Sequence, residues 1–197
     1  MTLRQNILRL FYPLFSAIRN VTARKKVANT SGTQPHVSFH SLSVELINGS
    51  IMPMKQLLGK KVLIVNTASD CGFTPQYAEL QKLYELFPHN LEIIGFPSND
   101  FKQQEKGTNQ QIEKFCKENF GVTFPLVKKS VVVSTPEQNK IYNWLTSKEK
   151  NGWNDQTPTW NFSKYLVNER GILTHYFDPS VSPLGKEVVD AVKSKME

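Results

Sequence analysis

The sequence contains only two cysteines, Cys71 and Cys116, in 197 residues. They are too few and too far apart for a disulfide framework, a CxxC metal site or a CxxC redox centre. The four histidines show no metal-ligand spacing, so we expect neither a metal ion nor a bound cofactor. The two cysteines could still form a transient disulfide.

The sequence also lacks a hydrophobic run long enough to cross a bilayer, an internal repeat and a phosphate-binding loop. The longest charge-free stretch near the N-terminus covers residues 10–18, well short of the roughly 20 apolar residues that a transmembrane helix needs. A chain of this length fits one domain with a short extension. We predict a tail and linker over residues 1–36 and one domain over residues 37–197.

Acidic residues are missing from the N-terminal part of the chain. None precedes Glu45, whereas six of the 24 basic residues lie within the first 26 positions. The remaining chain has 18 basic and 17 acidic residues, so nearly all of the net charge of +7 lies in the tail. The domain itself therefore gives no indication of a nucleic-acid partner.

Apolar residues recur every three or four positions between Ile7 and Ile18, with arginines around them. This spacing places the apolar side chains on one face of a helix, which Pro13 would bend. One prediction is membrane-surface association through residues 1–26. An export signal, an organellar targeting peptide and a functionally silent tail are the alternatives.

Cys71 stands where the apolar strand Val62–Asn66 passes into a predicted helix. At a helix N-terminus, unpaired backbone N–H groups and the helix dipole favour the thiolate over the thiol. Because the thiolate is the nucleophilic form, Cys71 is a candidate nucleophile. Position alone suits an inert buried cysteine equally well.

Three segments carry a family resemblance. They are Asn66–Tyr77, Phe96–Asn109 and Pro158–Val167, in that order. Together they resemble the active-site segment and two further signatures of the glutathione peroxidase family. Three motifs in register make a chance resemblance improbable. The resemblance covers the chain from about residue 38 to its end.

The domain sequence predicts alternating strands and helices, with an N-terminal β-hairpin. A β-α-β unit followed by a helix and a hairpin is typical of the thioredoxin-like fold of the α/β class, with a central mixed sheet flanked by helices, and the resemblance implies the same fold. The predicted elements are strands at Val37–Leu46, near Ile51, at Val62–Asn66 and at Leu91–Phe96, helices through Tyr77–Phe87 and Ile112–Cys116, a helix from Pro136 to Leu145, a polar loop from Lys148 to Pro158, a hairpin of Phe162–Val167 and Ile172–Phe177, and a terminal helix from Ser182.

The resemblance implies a peroxidase that reduces hydrogen peroxide and organic or lipid hydroperoxides to water and alcohols. Its site residues would be Cys71, Gln104, Trp160 and Asn161, and Cys71 would pass through a sulfenic acid. The two side-chain amides and the indole N–H are neutral donors that can stabilise a thiolate or a departing oxygen. A thiol reductant would be the co-substrate.

The way in which oxidised Cys71 would be reduced again depends on Cys116. Family members with a cysteine here resemble a thioredoxin-dependent type, in which Cys116 would be the resolving residue that forms a disulfide with Cys71. We expect helix unwinding around Cys116, because a disulfide needs Cα atoms within about 7 Å. Ser98 stands where many members have a further cysteine, so no other intramolecular candidate exists. Two alternatives are a peroxidase with an inert Cys116 and glutathione as reductant, and a peroxide-sensing relay protein.

Two expectations concern the protein's surroundings. The short segment from Leu145 to Pro158 resembles the usually monomeric members, so we predict a monomer. A cycle that needs a reducing partner favours the cytoplasm, with a membrane surface or export as the alternatives that the tail adds. Asp70, where Lys is common in the family, is expected to face solvent.

Overall fold

The computed structural model describes Gln5, Tyr12 and residues 26–194. Its main sheet has the order β1-β7-β6-β4-β5, in which β4 and β5 are parallel and the other neighbours are antiparallel. A separate hairpin is formed by β2 and β3. The strands are β1 (Lys26–Ala28), β2 (Ser43–Glu45), β3 (Ile51–Pro53), β4 (Lys61–Thr67), β5 (Leu91–Pro97), β6 (Lys164–Val167) and β7 (Leu173–Phe177).

The two parallel strands form the centre of the core. All residues of β4 and β5 are buried, as expected for parallel strands that are covered on both faces. Successive side chains point to opposite faces, so Leu63 and Val65 join one apolar cluster while Val62 and Ile64 join another. The first of these clusters also contains both cysteines.

The helices flank this sheet. The helix Asn109–Phe120 begins with a capping box, in which the side chains of Thr108 and Gln111 each accept the other residue's backbone N–H. It ends at Gly121, which has the left-handed conformation with φ 64°. The helices are α1 (Gln76–Leu86), α2 (Asn109–Phe120), α3 (Lys140–Leu145), α4 (Lys148–Asn151) and α5 (Lys186–Lys193).

Several predicted boundaries were wrong. The helix predicted from Pro136 begins only at Lys140, because the Asn139 side chain caps the Ile141 N–H there at 2.9 Å. The polar loop predicted from Lys148 contains α4, and the helix predicted from Ser182 begins at Lys186. The strand predicted over Val37–Leu46 contains a 3-10 helix at Phe39–Ser41 before β2.

The sheet also begins earlier than the predicted domain start at Val37. Strand β1 pairs with β7, and the next residue, Asn29, donates its N–H to the Thr174 carbonyl, because the edge of β7 needs backbone partners. The amphipathic helix predicted for the tail lies outside the described residues, apart from Tyr12. Within the described residues, no helix is long and apolar enough to span a membrane.

Candidate active site

Cys71 lies in a tight turn after β4 and is fully buried. Its backbone N–H donates to Thr74 Oγ1 at 3.0 Å, and that hydroxyl donates to the Ala68 carbonyl at 2.9 Å. The Phe73 N–H donates to Cys71 Sγ at 3.4 Å. Helix α1 starts only at Gln76, so this donor to the sulfur comes from the turn, not from the helix N-terminus that the sequence predicted.

A second segment brings Gln104 to this turn. The Asp70 N–H donates to the Gln104 carbonyl at 3.0 Å. The two preceding residues, Lys102 and Gln103, have φ values of 51° and 52°, a left-handed conformation that costs about 1–2 kcal/mol for each non-glycine residue. The chain therefore accepts local strain where it delivers Gln104 to the Cys71 turn.

A third segment brings Asn161 to Gln104. The buried Asn161 side chain donates through Nδ2 to Gln104 Oε1 at 2.9 Å. Asn66, near the end of β4, fixes this segment on both sides: its Nδ2 donates to the Trp160 carbonyl at 3.0 Å, and its own carbonyl accepts the Phe162 N–H at 2.6 Å. Phe162 has a φ of 68°, so strain again lies beside a predicted site residue.

Trp160 completes the predicted set. Its side chain is partly buried and packs against the apolar cluster that contains Cys71. The Phe101 ring lies 5.7 Å from it between centroids, and Lys102 Nζ lies 5.6 Å above its ring, within the range of a cation–π interaction. The structure thus places Cys71, Gln104, Asn161 and Trp160 around one end of β4.

Cys116 is buried in α2, and neither cysteine is in a disulfide. Burial raises the pKa of its thiol to about 12; the nearby Tyr77 side chain opposes this shift, and the charge of Glu105 adds to it. Both cysteines belong to the same apolar cluster. Helix α2 runs unbroken through Cys116, and its local unwinding on disulfide formation stays a prediction.

Sequence reasoning missed Glu105. It is only 1 % exposed, and Ser69 Oγ donates to its carboxylate at 2.9 Å. Burial raises the Glu105 pKa to about 7; hydrogen bonds from Ser69 and the charge of Lys129 oppose this, and Asp70 adds to it. Only adjacency to Gln104 could have drawn attention to Glu105. The expectation for Asp70 was wrong, since it is partly buried and its charge acts on Glu105.

A cavity of about 670 Å³ separates the Cys71 turn from the first half of α2. Ser69 and Asp70 line one side of it, and Ile112 and Phe115 line the other. Among the described residues, no cluster of His, Cys, Asp and Glu side chains could hold a metal ion. The arrangement therefore offers a buried thiol, neutral hydrogen-bond donors and an adjacent cavity.

Comparison with known proteins agrees with this arrangement. The profile of the family described as glutathione peroxidase matches residues 39–146. A glutathione peroxidase of Lactococcus lactis subsp. cremoris is 40% identical over 158 residues, which are 80% of this chain and 98% of the relative. The glutathione peroxidase-like peroxiredoxin 2 of Saccharomyces cerevisiae is 42% identical over 147 residues, which are 74% of this chain and 90% of the relative.

The fold has solved counterparts as well. A thiol:disulfide interchange protein of the thioredoxin family from Chlorobium tepidum superimposes with a TM-score of 0.56 at 15% identity, over 81% of this chain and 93% of that protein. The predicted thioredoxin-like fold is confirmed. The family profile and the two relatives show that the chain belongs to the glutathione peroxidase family.

Proposed function

We propose that this peroxidase reduces hydroperoxides by a two-cysteine thiol cycle that thioredoxin, or a similar dithiol protein, completes. The observation that carries the proposal is the site around Cys71, where Gln104 and Asn161 are hydrogen-bonded to each other and the chain's other cysteine lies in the same apolar cluster. No metal or bound cofactor has a part in this cycle.

In the first step, the Cys71 thiolate attacks one peroxide oxygen and the O–O bond breaks. The departing oxygen takes a proton and leaves as water or an alcohol, while Cys71 becomes a sulfenic acid. Gln104, Asn161 and Trp160 supply neutral donors for the sulfur and the departing oxygen. In the second step, Cys116 attacks Cys71, a disulfide forms and water leaves; a dithiol protein then reduces the disulfide by thiol exchange.

The second candidate is the same peroxidase recycled by glutathione. The burial of Cys116 in an unbroken helix and its raised pKa favour this candidate, because attack by an external thiol needs neither a rearrangement of α2 nor the ionisation of Cys116. One relative is named a peroxiredoxin and the other simply a glutathione peroxidase. In either cycle the reductant is a thiol, and we propose a reducing compartment such as the cytoplasm.

The test is NADPH consumption with hydrogen peroxide or cumene hydroperoxide, coupled to thioredoxin and its reductase or to glutathione and its reductase. For the two-cysteine cycle, Cys116→Ser abolishes turnover with thioredoxin while one equivalent of peroxide still oxidises Cys71. Turnover with glutathione that survives Cys116→Ser would support the second candidate. No turnover with either reductant would reject both, and Cys71→Ser sets the background.

A further inference from the structure

We infer that Glu105 accepts the proton that Cys116 loses when its sulfur attacks the Cys71 sulfenic acid. The inference rests on the proposed two-cysteine cycle, and it assigns a task to a buried carboxyl that peroxide reduction at Cys71 does not use.

Glu105 lies between the segments that carry the two cysteines. Its carboxylate accepts a hydrogen bond from Ser69 in the Cys71 turn, and its charge acts on the Cys116 thiol in α2 and on the hydroxyl of Tyr77. Glu105 also lines the cavity between the turn and α2. Ile112 and Phe115, on the same helix as Cys116, line this cavity as well.

The groups around Glu105 keep its carboxyl close to half-ionised near neutral pH. Burial raises the pKa to about 7 with help from Asp70, against the hydrogen bonds from Ser69 and the charge of Lys129. Lys129 Nζ is fixed nearby, because it donates to the Gly107 carbonyl at 2.7 Å and to the Glu105 carbonyl at 3.4 Å. A carboxyl of this kind can take up a proton and release it again at working pH.

The resolving step needs such a group. With a pKa of about 12, the buried Cys116 thiol is not ionised near neutral pH, and an ionised Glu105 disfavours a free thiolate beside it still further. The proton must therefore leave as the bond forms. The S–S bond forms, the S–O bond of the sulfenic acid breaks, and the thiol proton passes through Glu105 to the departing hydroxide, which leaves as water. No outside oxidant or reductant is required.

Single-turnover kinetics separate this step from the first. The full-length reduced protein is mixed with one equivalent of hydrogen peroxide at several pH values and quenched with an alkylating agent, and mass spectrometry follows the sulfenic acid and the disulfide. In the wild type, disulfide formation should rise with pH and level off above an apparent pKa near 7. Glu105→Gln keeps an acceptor for Ser69 but cannot take the proton.

For Glu105→Gln we expect disulfide formation at neutral pH to slow by about 100-fold and then to rise with pH without levelling off. Glu105→Asp should restore part of the rate and the plateau. The exposed Glu113→Gln on α2 is the matched control and should behave as wild type. A pH profile in Glu105→Gln that matches the wild type would overturn the inference and leave the two-cysteine cycle intact.

Two neighbouring substitutions test the assignment with Glu105 in place. Asp70→Asn should move the midpoint to lower pH, and Lys129→Gln should move it to higher pH, because the two charges act on Glu105 in opposite directions. They decide the question even if Glu105→Gln does not fold, and an unmoved midpoint in both would overturn the inference. A wild type that forms no disulfide would reject the proposed cycle together with it.

Discussion

The Asn161 amide donates a hydrogen bond to Gln104 Oε1 at 2.9 Å, across 57 positions of sequence. This bond determines which end of the Gln104 amide stays available. Its oxygen is engaged by Asn161, so the NH2 group is the end that can donate to a thiolate or a departing oxygen. We therefore predict that Asn161 acts on the proposed chemistry partly through Gln104.

Asn161→Asp should reverse this orientation. An ionised carboxylate repels Gln104 Oε1 and attracts its NH2 group, so the amide turns and its NH2 group is taken up by residue 161. We expect the rate constant for Cys71 oxidation by hydrogen peroxide to fall by about 100-fold, as measured by stopped-flow tryptophan fluorescence. Relative to wild type, the loss should shrink at low pH, where the introduced carboxyl is protonated and can donate to Gln104 Oε1 again.

The control for that experiment is Asn161→Ala, which removes the hydrogen bond without placing a new acceptor beside Gln104. It should lower the rate constant for Cys71 oxidation less than Asn161→Asp does, and the rate should not recover at low pH. Equal and pH-independent losses in both variants would mean that Asn161 acts only by its own contact with the reacting groups, and that it does not orient Gln104.

Thr74 is predicted to hold the Cys71 turn. Its hydroxyl accepts the Cys71 N–H and donates to the Ala68 carbonyl, and all three residues are buried. Thr74→Val keeps the shape but removes both hydrogen bonds, which should lower the free energy of unfolding by about 1–3 kcal/mol. Urea denaturation measures this, with Thr74→Ser as the control. Equal stability of the two variants would contradict the assignment.

The sequence predicted the core strands well, because an apolar run is a local feature. Val62–Asn66 and Leu91–Phe96 are apolar runs, and both lie within buried strands of the structure. Helix α3 was predicted too long because the Asn139 cap competes with Pro136 as a helix start, and the apolar pattern does not decide between them. Short-range competition of this kind limits boundary prediction.

The burial of Glu105 and the Gln104–Asn161 hydrogen bond could not be predicted from the sequence, for a different reason. A glutamate in a polar loop is usually exposed, and only the packing of the Cys71 turn against the 105–108 segment buries this one. The contact between Gln104 and Asn161 depends on the two left-handed residues that precede Gln104 and on Asn66, which holds the segment that carries Asn161. Neither feature has a periodic signal.

Lys164 should make stability depend on pH. It is fully buried on β6, where Nζ donates to the Phe162 and Pro179 carbonyls at 2.7 and 3.3 Å. Burial lowers its pKa to about 7, although Glu79 and Asp178 oppose the shift. Below pH 7 the lysine is charged in both the folded and the unfolded protein, and the full cost of burying that charge is present.

As pH rises from about 7 toward the unfolded value near 10.4, the unfolded chain binds more protons than the folded one. Lys164 therefore makes the free energy of unfolding increase by up to about 1.4 kcal/mol per pH unit in this window. Urea denaturation at pH 7, 8 and 9 should show this rise in the wild type and in the exposed control Lys82→Met. Lys164→Met should lack it, and an unchanged slope would contradict the prediction.

Membrane association remains a prediction for residues 1–26, and the structure dictates how to test it. Deleting the tail is a poor test, because Tyr12 is buried in the core cluster and the Gln5 side chain donates to the Ser69 carbonyl at 3.1 Å. Changing Arg4, Arg9, Arg19 and Arg24 to glutamine keeps both contacts. Each basic residue near an anionic surface contributes about 1 kcal/mol, so binding should fall by up to about three orders of magnitude.

Co-sedimentation with phosphatidylserine vesicles measures this binding, and neutral phosphatidylcholine vesicles are the control. The full chain should sediment with the anionic vesicles and be released by salt, because exposed charges are screened, whereas the four-arginine variant should stay in solution. Equal sedimentation of the two proteins would refute an electrostatic anchor. If the anchor holds, the full chain should reduce phospholipid hydroperoxides in those vesicles faster than the variant, because the tail brings the enzyme to the surface that contains this substrate. Both proteins should reduce soluble cumene hydroperoxide equally fast.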